Sequence, residues 1–431
     1  MAGRTLFGAE LRRRRLSAGL SLGQLGALVH YSKGYLSKIE SGDKAVNRTL
    51  ATLCDTALRA NGELVVLVAE AAGDVETDEP DGPAFGGGSW GMRLSPDGAV
   101  DFARGVGTGP GFDDASLFAP SFGASQMAAD PATLCTLFGV RFDQARSLGQ
   151  MVSPVLLLPM VISETHVLRC LAERAPDEGG AALWRLAAQF AEFAGWMIQE
   201  SGDDRGAMWW TATAVRMAAR GGDDSLRPYA LFRRADLTLH ADDPLRTIEL
   251  AQRAQADPAA TARVCGLALQ REAQGHALLG DQERCFEALN RSEALLDEAK
   301  RSSNGGPVLG TTWTPDSTIM ARGWCLFDLG RPSEAAALLE TGIGAFAEGA
   351  KRARARYGVR TALAHVAADE VDRACEILEW LGADLMQIDS ATVRHDLRLL
   401  NREFRRRSGH ARVQGLLPML ADLLRGPDAR G

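Results

Sequence analysis

The chain has 431 residues, 46% of them apolar and 24% charged, enough to bury the cores of two or three domains and too apolar for a disordered protein. The formal net charge of −7 is uneven: residues 1–73 hold ten Lys/Arg against six Asp/Glu, leaving 38 against 49 for the rest. A basic head on an acidic body can meet a polyanion while the remainder stays in solution. The seven cysteines are scattered without a CxxC pair, which argues against a zinc finger or a disulfide framework and fits reduced thiols. No segment reads as a membrane span, since "VLLLPMVI" (155–162) is short and broken by proline, and the N-terminus has no export-signal pattern, so a cytoplasmic protein is expected.

In chain order, residues 1–72 read as a bundle of short helices. "TLFGAELRRRRLSAGLS" (5–21) places Leu6, Phe7 and Leu11 on one side, followed by Arg12–Arg15. "SLGQLGALV" (21–29) has Ser21 as N-cap and Leu22, Leu25 and Leu28 or Val29 inward. After a two-residue turn, Ser32 caps a helix Lys33–Glu40 that ends at Gly42. Leu36 and Ile39 face the core, leaving Lys33, Gly34, Ser37 and Lys38 outward. "RTLATLCDTAL" (48–58) follows as another amphipathic helix.

Residues 73–130 change character, with twelve glycines and five prolines, and read as a linker. Within it "WGMRLSPDGAVDF" (90–102) alternates around Ser-Pro-Asp-Gly, the pattern of a β-hairpin. From 131 to 431 the pattern is helical and repetitive. Turn-like breaks at Gly202, Asp242, Gly280, Gly330, Asp369 and Ser408 are separated by 40, 38, 50, 39 and 39 residues, the long interval containing the insertion "RSSNGGPVLGTTWTPD" (301–316). Alanine- and glycine-rich runs before and after each break predict paired helices stacked as an α-solenoid, because only small residues let helices cross closely. A larger side chain at Ala273, Gly275 or Ala336 is expected to cost roughly 1–3 kcal/mol.

Two short helices joined by a tight turn, the second capped by serine with a small, basic outer face, describe a helix-turn-helix. "GLSLGQLGALVHYSKGYLSKIESG" (19–42) resembles the phage-repressor-type helix-turn-helix (XRE) family, through Gly19-Leu20-Ser21, Leu25-Gly26, Ser32, Leu36, Ser37, Ile39, Glu40 and Gly42. The helical repeats resemble tetratricopeptide (TPR) repeats in their pairing and small-residue placement, and the combination resembles regulators abundant in actinobacteria. The resemblance implies an all-α protein that binds operator DNA as a homodimer, with Lys33–Glu40 in the major groove. Ser32, Lys33, Gly34, Ser37 and Lys38 would then contact bases or phosphates, glycine at 34 allowing close approach, while Tyr35 would either touch a thymine methyl or a phosphate or pack on the second helix. Arg14 and Arg15 are candidate phosphate clamps. Relatives open the second helix with Ser-Gln; here Leu22 follows Ser21, leaving Gln24 as the candidate phosphate anchor, and relatives carry an apolar residue where Arg14 stands. Glu40 is expected to brace the bundle through a basic partner.

Function of the solenoid is expected to be dimerisation and reception of a peptide or small-molecule signal that alters the spacing of the two heads. Its tryptophans read mainly as helix-pair core, with Trp209, Trp210, Arg271 and Arg322 as candidate ligand contacts. His365 with Asp369 has no third ligand in view and His240-Ala-Asp-Asp reads as a local polar cluster, so neither a metal nor a cofactor is expected. No P-loop or HExxH occurs, so the chain is not expected to be an enzyme. The competing reading is a protein-interaction scaffold with a vestigial DNA-binding head.

Overall fold

The computed structural model describes residues 2–29, 31–42, 46, 48–58, 60, 62–69, 89–94, 100–105, 130–175, 177–302, 309–310, 313–314, 316 and 317–425. The fold is all-α apart from one two-stranded hairpin. The head comprises α1 (Ala2–Ser17), α2 (Leu22–Val29), α3 (Lys33–Glu40), α4 (Arg48–Ala57) and α5 (Glu63–Ala69). Phe7, Leu11, Leu25, Val29, Leu36, Ile39 and Leu50 form its buried centre, whereas Leu28 is 54% exposed, so Val29 takes the inward position. Asp55 accepts hydrogen bonds from the backbone N–H groups of Gly62 (2.8 Å) and Leu64 (2.9 Å), which fixes the start of α5.

The expected hairpin is present: β1 (Ser89–Leu94) pairs antiparallel with β2 (Val100–Gly105), Leu94 opposite Val100 and Ser89 opposite Gly105. Its Ser-Pro-Asp-Gly turn, the Gly/Pro-rich stretches on either side and most of the 301–316 insertion lie outside the described residues.

The remaining helices are α6 (Pro131–Leu148), α7 (Pro154–Arg174), α8 (Asp177–Ser201), α9 (Asp204–Arg220), α10 (Leu226–His240), α11 (Pro244–Ala256), α12 (Ala262–Leu279), α13 (Gln282–Arg301), α14 (Ser317–Asp328), α15 (Pro332–Ile343), α16 (Lys351–Ala367), α17 (Val371–Gln387), α18 (Ala391–Arg406) and α19 (Ala411–Arg425). Neighbours pack in pairs, and α10, α12, α14, α16 and α18 stack in sequence. Five of the six sequence breaks are left-handed turn residues: Gly202, Gly280 and Gly330, and the non-glycines Asp242 (φ 59°) and Asp369 (φ 65°). Ser408 instead lies in a turn without positive φ. The small residues act as anticipated, Ala273 and Ala336 being buried, while a Cβ at Gly275 would stand 2.6 Å from Ile248 Cγ1.

One helix differs from the sequence expectation. The structure carries α7 through Pro159 for 21 residues with a mean hydropathy of 1.6 over its most apolar window, enough by length and composition to cross a membrane. In this fold Leu157, Leu158, Val161 and Leu168 of α7 are buried in a core shared with α8.

The solenoid curls until its late repeats meet its early ones, α18 packing on α8. Arg352, 2% exposed, makes that closure, its guanidinium donating to the carbonyls of Gly149 (2.7 Å), Val152 (2.6 Å) and Asp389 (2.7 Å) and to Glu200 (3.2 Å). The inner face carries its own ions: Arg271 meets Asp236 at 3.3 Å, Arg356 meets His240 at 3.1 Å and Arg360 meets Asp396 at 2.8 Å.

Candidate nucleic-acid interface

The turn between α2 and α3 is built from two caps. Ser21 and Gln24 form a reciprocal capping box, the Ser21 N–H donating to Gln24 Oε1 (2.9 Å) and the Gln24 N–H to Ser21 Oγ (3.2 Å). Gln24 therefore uses its side-chain oxygen to start α2, a role the sequence reading did not give it. Ser32, extended at φ −63°, accepts the Tyr35 N–H at 3.1 Å and starts α3 as expected. Between them Gly26 is buried, and a Cβ there would lie 2.6 Å from the Tyr31 carbonyl oxygen, so the two helices cross only with glycine.

On α3, Lys33, Gly34 and Ser37 are exposed, and nothing lies within 4 Å of the position a Cβ would take at Gly34. These three share one outer strip, small and basic, open to solvent. Lys38 and Tyr35 do not. Tyr35 is 3% exposed, its ring 5.0 Å from Tyr31, and its hydroxyl donates to the Asp242 carbonyl oxygen at 2.6 Å. Lys38 Nζ lies 4.7 Å from the centre of the Phe327 ring and 4.0 Å from the Asp328 carboxylate. Burial raises the Tyr35 phenol well above its ordinary pKa, and the carboxylates of Asp242, Asp243 and Asp328 add to that. Of its two expectations Tyr35 takes the packed one, and its hydroxyl packs on the solenoid at Asp242 rather than facing a duplex.

Arg14 and Arg15 also differ from the phosphate-clamp expectation. Arg15, 7% exposed, makes a two-pronged pair with Glu40 (2.5 and 2.8 Å) and donates to the Leu20 carbonyl (2.8 Å). That pairing, which raises the guanidinium pKa chiefly through the Glu40 hydrogen bond, gives Glu40 its bracing partner. Arg14 bonds Glu10 (2.7 Å) and Glu63 (2.5 Å), tying α1 to α5. The physical reason is periodicity. Arg15 stands four residues after Leu11 and eight after Phe7, on the buried stripe of α1. Arg12 and Arg13 are the exposed members of the run.

The candidate effector residues are dispersed. Trp210 is 4% exposed in the α8–α9 core, with the half-buried Trp209 edge-on at 5.1 Å, as adjacent positions on one helix require. Arg271 is held by Asp236 and Gln274, and Arg322 bonds Asn290 at 2.9 Å on another repeat. A cleft of about 110 Å³ lined by Arg185, Gln189, Asp223, Thr261 and Arg263 contains none of them, and is smaller than the roughly 300–1,000 Å³ of ordinary ligand sites. His365 faces Glu370 (2.6 Å) and Glu340 (2.9 Å), and no group of three metal-ligating side chains occurs among the described residues.

Residues 6–67 match the family model of a helix-turn-helix domain. No curated protein and no solved structure matched the chain. The match and the geometry together support a DNA-binding regulator with its DNA-binding unit at the N-terminus.

Proposed function

We propose that the protein is a sequence-specific transcription regulator of the phage-repressor type that grips operator DNA as a homodimer, without catalysis. The observation that carries this reading is the exposed strip Lys33, Gly34 and Ser37 on a serine-capped second helix of the helix-turn-helix. Lysine offers donors to guanine O6/N7 or phosphate, and glycine admits the backbone to the groove wall. The repeats are TPR-like and of the type joined to such heads in actinobacterial regulators, and they receive a peptide or small-molecule signal in the cytoplasm.

Dimerisation has its best support at α6–α7. Six of the twelve exposed large apolar side chains among the described residues lie on these two helices and a seventh, Met151, between them; Leu137 (57%), Val140 (54%) and Leu156 (72%) are the most open. Concentration of that kind marks an association surface more than scattered exposure does. With six to eight phosphates neutralised per dimer, log affinity should fall against log salt with a slope of about −5 to −7.

Burial of Tyr35 favours the second reading, a TPR-type interaction scaffold whose head is retained as a packing unit. A mobility-shift assay on genomic fragments separates the two. Lys33→Ala with Ser37→Ala, both on the exposed strip, should abolish specific retention while leaving the melting curve unchanged. Sequence preference that survives in that double variant refutes the contact assignment.

A further inference from the structure

The head does not hang free from the repeats. Leu239 and Leu278 are buried in the same apolar cluster as Phe7, Leu36 and Tyr35, with Leu279 and Trp324 packed against it. The contacts come from the turns of three successive helix pairs. Tyr35 bonds the α10–α11 turn at Asp242. Ser32 rests on the α12–α13 turn, where a Cβ at Gly280 would stand 2.9 Å from its own Cβ. Lys38 reaches the end of α14 at Phe327 and Asp328. Positions 32, 35 and 38 form one flank of α3, beside the exposed strip of 33, 34 and 37.

We infer that this turn edge is an internal docking surface for α3 that competes with duplex DNA, an inference resting on the function proposed above. An α-helix is about 10–12 Å across with its side chains and the major groove about 12 Å wide. A helix seated in the groove therefore has phosphate walls along both flanks. The space one wall needs, beside Ser32, Tyr35 and Lys38, is filled here by Asp242, Gly280 and Phe327. The edge also resembles the wall in sign: the Asp328 carboxylate lies 4.0 Å from Lys38 Nζ, and the Tyr35 hydroxyl is bonded to the backbone carbonyl of Asp242, beside the acidic pair Asp242-Asp243. Gly280 serves the docking twice, holding a left-handed turn at φ 79° and leaving room for the cap of α3. The docked and DNA-bound states exclude one another, so observed DNA affinity is the intrinsic affinity scaled by the undocked fraction.

The test uses the full chain and a randomised duplex pool, with two readouts: retention of the pool in a filter assay at low salt, and nitration of Tyr35 mapped by mass spectrometry. Gly280→Asn is the principal variant, because asparagine tolerates left-handed backbone and its side chain would press on Ser32. Leu279→Gln loosens the same seam from an adjacent position without altering charge or α3. Tyr35 should be protected in the unaltered protein and reactive in both variants, with DNA retention raised at least tenfold. Variants that open Tyr35 yet hold the pool no more tightly would overturn the competition while leaving DNA binding intact. A Tyr35 equally reactive in the unaltered chain, or still protected in both variants, overturns the docking. Opened variants that retain no DNA at all sink the regulator reading itself, and this inference with it.

Discussion

Replacing Glu40 by alanine should unfold the head while the repeats stay folded. Glu40 receives both prongs of Arg15 at 2.5 and 2.8 Å, and the two side chains are only 6% and 8% exposed. Removing the carboxylate leaves a guanidinium in a poorly polar setting with the Leu20 carbonyl as its remaining named acceptor. Breaking a buried pair in this way costs about 3–5 kcal/mol. A unit of this size draws only about 3–5 kcal/mol from its own core, so the loss takes most of it. The double replacement Arg15→Met with Glu40→Leu removes both charges and keeps the volume, and should recover most of the loss. Urea titration followed by hydrogen exchange of α1–α3 amides reads the head separately from the solenoid. A loss under about 1 kcal/mol would refute the reasoning. So would an Arg15→Ala variant that keeps head stability but lowers the DNA salt slope by about one, since that is the behaviour of a phosphate ligand.

Three further outcomes are expected. Lys33→Ala, at a fully open position of α3, should reduce the log-log salt slope by about one per head without changing stability, read from filter binding at several salt concentrations. Gly26→Ala places a methyl 2.6 Å from the Tyr31 carbonyl oxygen, and the resulting strain of roughly 1–3 kcal/mol outweighs a helix-propensity gain of about 1 kcal/mol. Thermal melts should show the net loss. His240 has its pKa pushed down to about 3, first by burial, then by Arg356 of α16 and Arg360, against the opposing pull of Asp236 and Asp396. The folded ring is neutral while the unfolded one gains a proton near pH 6.5, so stability complete above that pH falls by at most about 1.4 kcal/mol per unit below it. Urea midpoints at pH 7.5 and 5.5 should differ less in His240→Gln.

What could be read from the residues was what local periodicity encodes. The breaks at Asp242 and Asp369 were visible as interruptions of alanine-rich runs, and both prove to be left-handed turns. The cap at Ser32 followed from serine preceding an amphipathic stretch, and the open strip of α3 from subtracting Leu36 and Ile39. Arg15 was misread as a phosphate clamp, although its spacing from Phe7 and Leu11 puts it on the buried stripe. The basic run as a block concealed that its members point in different directions. Tyr35 was not legible. Its burial is decided by Asp242, 207 positions further along the chain, and no periodicity within α3 carries information about a contact made at that range. The filled inner face of the solenoid belongs to the same class, since its Arg271–Asp236 and Arg360–Asp396 pairs join helices from different repeats.

That filled interior bears on how the repeats can influence the head. An open superhelix offers a concave groove, but here Arg352 closes the curl and Asp236, His240, Arg356, Arg360 and Asp396 occupy the inside. What remains available for another macromolecule is edges and outer faces. One edge is already taken by α3, and the buried ions reach that edge at Trp324: the Arg360 guanidinium lies 3.2 Å from the centre of its ring, which packs against the head cluster. A buried cation over an indole is held by the ring's face and by its carboxylate together, so displacing either partner alone strands the charge. The seam under the head and the ion layer beneath it therefore share Trp324, and loss of the Asp396 carboxylate, which holds Arg360 over that ring, should disturb the seam as well as the ion layer.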